Sequence, residues 1–312
     1  MTDQSPVKQR WKLWAALAVV VVAIIGLSLP AGRDAAGAFF RSLRMQKVQA
    51  VNVDLSSFTD PNANPTLHDM VAQMISSKVV VTANEKDQPA ADAAAATPIA
   101  GFPVQLLSGR KDQPKVVVAG EHAVTLTIDR ARLQAIFTEA GHPELSVPAS
   151  LEGATVSVQM PRALEATYGT CPGPTNATNA LASNITGPTP SSTQYSDCVR
   201  LRESPSPVVN VPAGLDVEHL AEIGLEVAGM NPTQAHNFLG TVDWKSTLSM
   251  TVPRFLRSYE AVKVNGAQGT LLTLAGRRGP GYTLIWAKNG MVYSLVGFGD
   301  SGEAVALADS LK

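Results

Sequence analysis

Tyr282-Thr283-Leu284-Ile285-Trp286, then Ala287-Lys288-Asn289-Gly290, then Met291-Val292-Tyr293-Ser294-Leu295: two runs rich in β-branched and aromatic residues are separated by an Asn-Gly pair. Asn and Gly tolerate the positive φ angles of a type I′ turn, whose twist matches that of two antiparallel strands, so this stretch predicts a hairpin. Side chains alternate along a strand. Tyr282, Leu284 and Trp286 therefore share one face, and Thr283 and Ile285 the other. Working upstream, residues 269–274, 259–264 and 247–252 read as three more strands. Downstream, Ser301 is placed to cap a last helix carrying Val305, Leu307, Ala308 and Leu311. A meander of antiparallel strands closed by a helix is an α+β arrangement.

The rest of the second region, 199–312, begins with two short helices. One, over 216–227, has Leu220, Ile223 and Val227 on one face, and the other starts at Asn231-Pro232 with Ala235, Phe238 and Leu239. A first region, 51–170, alternates strands with single helices. Val51, Val53 and Leu55 mark a strand, and Asn64-Pro65 starts a helix striped by Leu67, Met70, Val71, Met74 and Ile75. A strand over 78–82 follows. Residues 84–97, with six alanines and one aspartate between Ala90 and Ala96, read as a low-complexity loop. Strands at 115–118 and 122–128 are expected to form a hairpin about Ala119-Gly120-Glu121. Asp129 caps a helix with Leu133, Ile136 and Phe137 that stops at Gly141, and a strand at 154–160 ends at Pro161.

Between the two regions, 171–198 is rich in Pro, Gly, Asn, Ser and Thr, and its ends are the chain's two cysteines, Cys171 and Cys198. In an oxidising compartment they are expected to form a disulfide that closes the loop and stabilises by about 3 kcal/mol. The alternative is two free thiols. No CxxC pair and no metal-ligand spacing involves them.

Compartment is the subject of the N-terminus. Residues 13–32 are a run of 20 without a charge, with an aliphatic centre from Ala18 to Ile25. As a helix it spans about 30 Å, the hydrocarbon thickness of a bilayer. Lys8, Arg10 and Lys12 precede it against Asp3, and Trp11 and Trp14 sit at interfacial positions, so residues 1–12 are expected in the cytoplasm. Arg33, Arg41, Arg44 and Lys47 follow the run and blur the charge bias, but a long domain crosses largely regardless of its charge. Residues 33–50, with Phe39, Phe40, Leu43 and Arg44 at helical spacing, read as a stalk. A cleaved signal peptide is the competing reading, with Ala36-Gly37-Ala38 as its site; that site lies far beyond an unusually long apolar run. A buried core helix is disfavoured by the absence of a polar face.

Net charge is −1 and the isoelectric point about 6.5, which gives no basic surface for nucleic acid. The aromatic content of 5 % and the abundance of small residues fit a folded, small-residue-rich extracytoplasmic protein.

The C-terminal run from Asp243-Trp244-Lys245-Ser246-Thr247-Leu248, through Tyr259-Glu260-Ala261-Val262-Lys263-Val264-Asn265-Gly266, to the 282–297 hairpin and last helix resembles a bacterial extracytoplasmic domain of unknown function. That domain is found in membrane-anchored anti-sigma-like regulators and in lipoprotein-sorting-like proteins, and the resemblance covers about the last third of the chain. It implies an envelope domain without assigned catalysis, acting in regulation through partner proteins or, in the alternative, holding a lipid between sheet and helix. Residues 1–12 carry neither Cys nor His, which departs from a zinc-containing anti-sigma module. Regulation would then run through a second membrane protein.

Catalytic signals are sparse. Gly299-Asp300-Ser301-Gly302 matches the tetrapeptide around the nucleophile of chymotrypsin-like proteases, but Glu303-Ala304 departs from that family's Gly-Pro and a helix cap explains Ser301 equally. Glu218, His219 and Glu222 share a helix face at a spacing open to a metal, although a solvated charged face is the plainer reading. We therefore expect no catalytic residue, no cofactor and no metal. Trp244, Tyr282, Trp286 and Tyr293 are the candidate binding surface, for lipid or peptide, although aromatics on a sheet are more often core and the lipid reading rests mainly on the resemblance.

Overall fold

The computed structural model describes residues 47–53, 64–171, 195, 197–212, 217–241, 247–253, 258–276, 279–298 and 300–312. The apolar run 13–32, most of the 171–198 loop and Trp244 lie outside them. Among the described residues no helix is long and apolar enough to cross a membrane.

The fold is α+β, with two antiparallel sheets and six α-helices among the described residues. The helices are α1 (Pro65–Lys78), α2 (Ala93–Ala100), α3 (Arg130–Glu139), α4 (Val217–Val227), α5 (Pro232–Thr241) and α6 (Gly302–Asp309). A small sheet runs in the order β2 (Val79–Asn84), β5 (His122–Thr127), β6 (Thr155–Met160) and β9 (Val208–Asn210). The large one contains β11 (Ser258–Val264), β12 (Ala267–Gly276), β13 (Gly279–Lys288), β14 (Met291–Phe298), β8 (Val199–Pro205), β7 (Ala163–Tyr168), β4 (Lys115–Ala119) and β3 (Gln88–Ala90), in that order. It therefore draws strands from both regions flanking the 171–198 loop, joined where Ala166 pairs with Leu201.

The expected hairpin at 282–295 is present: β13 and β14 pair antiparallel with Trp286 opposite Tyr293, and Asn289 and Gly290 turn at φ 53° and 78°. Asn265-Gly266 makes the same kind of turn between β11 and β12. One strand expected in this meander leaves it. β10 (Thr247–Pro253) pairs in parallel with β1 (Lys47–Val53), and this two-stranded ladder lies against β12 and β13.

The hairpin expected about Ala119-Gly120-Glu121 does not form. β4 and β5 belong to different sheets, and they are successive parts of one broken strand. The same break occurs between β2 and β3, β6 and β7, and β8 and β9: the order β3-β4-β7-β8 in the large sheet matches β2-β5-β6-β9 in the small one. Four long strands thus bend along a common line. Polar side chains hold that line. Arg162 grips Glu85 with two bonds, Nε to Oε2 at 2.7 Å and Nη2 to Oε1 at 2.9 Å, and donates to the Ile99 carbonyl. Glu85 also accepts from the Glu121 amide at 3.2 Å, and Asp87 from the Gly120 amide at 3.1 Å. The chain packs so tightly there that a Cβ on Gly120 would stand 2.5 Å from the Glu85 carbonyl oxygen. The Arg162 contact, then the Glu121 amide, hold the Glu85 carboxyl down at about 2.

The stretch expected as a low-complexity loop folds into β3 and α2. Asp92 accepts from the Ala95 amide at 2.8 Å, and alanine has the highest helix propensity, so the cap and composition suffice for a short helix. Ala96 and Ala100 then bury against Val116, Val118 and Leu164.

Over the small sheet, α1 and α3 bury Leu67, Val71, Ile75, Ile136 and Phe137, joined by Ile223 and Val227 of α4. The capping reading of α1 holds: Asn64 Oδ1 accepts from the Leu67 amide at 3.0 Å, and its Nδ2 donates to Glu139 Oε1 at 3.2 Å. Replacing Asn64 by Ala is expected to lower stability by about 1 kcal/mol in urea unfolding, with Asp at this position retaining most of it. Equal losses for both substitutions would locate the effect in the Glu139 contact.

Candidate functional site

The inward face of the large sheet is where the predicted aromatics converge. Along β13 Tyr282, Leu284 and Trp286 are buried and Thr283 and Ile285 only partly so, as the alternation predicts. Neighbouring strands add Tyr168, Leu201, Tyr293 and Leu295, and α6 closes the face with Ala304 and Ala308. Trp286 and Tyr293 stack, their centroids 5.0 Å apart and their planes 6° from parallel. The Tyr282 ring lies over its cross-strand partner Gly297, where a Cβ would run into it. These three rings form core. Trp286 is 1 % exposed, and Trp244 lies outside the described residues.

An ionisable group sits in that core. Glu203 of β8 is 1 % exposed, opposite Leu164 on one side and Tyr293 on the other. Its Oε2 accepts from the Gln105 amide at 3.1 Å, and the Tyr293 hydroxyl donates to the carboxyl. Burial pushes the carboxyl up to about 7, against the opposing pull of these two donors. Burial likewise raises the Tyr293 hydroxyl to about 12, reinforced by Glu203 beside it, and Tyr282 to about 12. The sequence reading did not include Glu203. The available signal was the alternation Val199, Leu201, Glu203, which places a carboxylate in the inward phase of a strand.

Cys171 and Cys198 are joined in a disulfide, their Cα atoms 4.9 Å apart, just beyond the paired ends of β7 and β8. The base of the loop has further ties. Arg110 makes two bonds to Asp112, at 2.7 and 2.9 Å, and one to the Asp197 carbonyl. Asp112 accepts from the Gly169 amide, and Asp197 from that of Thr170.

The other residues singled out for chemistry lie on or next to helices. At the start of α6 Ser301 makes no capping bond through its side chain; Asp300 accepts from the Gly302 amide at 2.9 Å instead. Glu222 stands between two imidazoles, 3.9 Å from His219 Nδ1 and 3.5 Å from His236 Nδ1 of α5, while Glu218 is exposed. Among the described residues no group of three or more His, Cys, Asp or Glu is placed to hold a metal ion.

The class this geometry defines is an α+β protein with a bent sheet and a buried carboxyl. Comparison with family models, with curated proteins and with solved structures finds no match.

Proposed function

We propose that this chain is a single-pass protein of the bacterial inner membrane. Residues 13–32 are the bilayer anchor, residues 1–12 are cytoplasmic, and the α+β domain works outside the cytoplasm as a non-enzymatic sensor or regulator through another envelope protein. The observation that carries the compartment is the Cys171–Cys198 disulfide, because such bonds persist in oxidising surroundings. Contact with a protein partner is supported by exposed apolar groups on two sheet edges, Val80 on β2 at 60 % exposure and Tyr259 on β11 at 50 %. A lipid-carrying role has less support, since the chain's own Tyr282, Leu284 and Trp286 fill the space beneath α6.

Protease added to intact spheroplasts is expected to degrade everything beyond the anchor, and Cys171 and Cys198 to resist a membrane-impermeant thiol reagent until reductant is supplied. A protected domain would reverse the topology. For the partner, a photo-crosslinker at Tyr259 or Val80 in native membranes should yield a discrete adduct with an envelope protein; no adduct from either edge would remove the interaction reading. Bound lipid in native mass spectra would favour the carrier instead.

A further inference from the structure

Residues 105–109 form a strap whose amides alternate between two sets of acceptors. On the sheet side the Gln105 amide donates to Glu203 Oε2 at 3.1 Å and that of Leu107 to the Tyr168 hydroxyl at 2.9 Å. On the other side Leu106 exchanges two bonds with Lys312, at 3.0 and 3.1 Å, and the Ser108 amide donates to the Ser310 carbonyl at 3.1 Å. The Gly109 amide ends the series on Ser310 Oγ at 2.9 Å. The strap thus couples the C-terminal residues beyond α6 to two side chains of the large sheet. Of those two only the carboxyl of Glu203 changes charge in the neutral range, because burial moves the Tyr168 hydroxyl further upward.

We propose that Glu203 is a proton-operated latch: the strap and the C-terminal residues close over its neutral carboxyl, and the ionised form, which needs water, favours their release. The inference concerns the fold alone and stands whether or not the chain is anchored in a membrane. An ionised carboxylate offers about four acceptor positions and needs them filled; among the described residues two donors reach Glu203, and the strap covers it with a main-chain amide. Among the described residues named here none is a cation free to neutralise it. From β14 the titratable neighbour is Tyr293, and from β7 it is Tyr168, four pairs further along. Just past the strap Arg110 is committed to Asp112 and the Asp197 carbonyl. Arg202 lies on the opposite face of β8 with Glu165, and from α6 Glu303 acts on Tyr282. Hydrating the charge therefore means moving the strap.

The test is hydrogen exchange of the full-length protein in mild detergent between pH 4.5 and 8.5, each rate divided by its intrinsic value. Opening of the strap is linked to one proton. In the wild type the opening constant for the amides of Leu106, Ser108 and Lys312 should rise by up to about tenfold per pH unit from the ordinary carboxyl range, levelling off near about 7. Glu203→Gln should remove that rise. Tyr293→Phe deletes a donor that favours the ionised form, so it should move the plateau to higher pH, and it keeps the test open if the glutamine variant fails to fold. A flat wild-type profile, or a rise that persists unchanged in either variant, overturns the latch.

Discussion

A Trp286→Ala variant is expected to lose about 3–5 kcal/mol of unfolding free energy, the usual cost of removing a fully buried aromatic. The indole is enclosed by β strands and α6, and it stacks on Tyr293 at 5.0 Å, so its removal leaves a cavity and exposes one face of the second ring. Tyr259→Ala supplies the contrast. That ring is 50 % exposed on edge strand β11, and its loss should change stability by no more than about 0.5 kcal/mol. Urea unfolding of the two variants decides between the readings of the C-terminal aromatics: a loss below about 1 kcal/mol at Trp286 would mean that the ring is not core and would restore it as a binding surface.

The elements legible in the sequence are those whose signal is local. Asn289-Gly290 between alternating apolar runs fixes a turn type, and Asn64-Pro65 or Asp129 ahead of an apolar stripe fixes a helix start; at both helices the side chain that gives the signal makes the bond. Ser301 shows how such a signal fails. Two acceptors stand next to each other at the helix start, and the carboxylate of Asp300 takes the Gly302 amide.

What was not legible depends on partners distant in the chain. Ala119-Gly120-Glu121 carries the composition of a hairpin turn, yet the segment is a bend between sheets, because the Gly120 amide finds Asp87 and its bare Cα admits the backbone of Glu85. Neither partner is visible from residues 115–128. The parallel pairing of β1 with β10 joins segments about 200 residues apart and has no local mark. Glu203 is the instructive miss in the site. Alternation with Val199 and Leu201 gives its face, but only the pairing of β8 between β7 and β14 shows that this face is fully buried there.

That placement has a consequence for stability as well as for the strap. Glu203→Gln is expected to make the protein more stable than wild type at pH 8 by about 3 kcal/mol, with the difference shrinking toward zero near pH 4.5. The native carboxyl titrates at about 7, above its unfolded value of 4.5, so between those values the folded chain holds a proton that the unfolded chain has released. Folding is then progressively disfavoured as pH rises across this window and the penalty is constant above it. Glu85, Asp112 and Asp129 act with the opposite sign, since their partners hold them below the ordinary range and their contributions are lost only as pH falls through the acid region. They are common to both proteins and cancel in the comparison. Urea midpoints for the pair at pH 5, 6, 7 and 8 should diverge up to pH 7 and then level off; curves that stay parallel throughout would mean that the carboxylate is stabilised where it lies and that burial does not govern its titration.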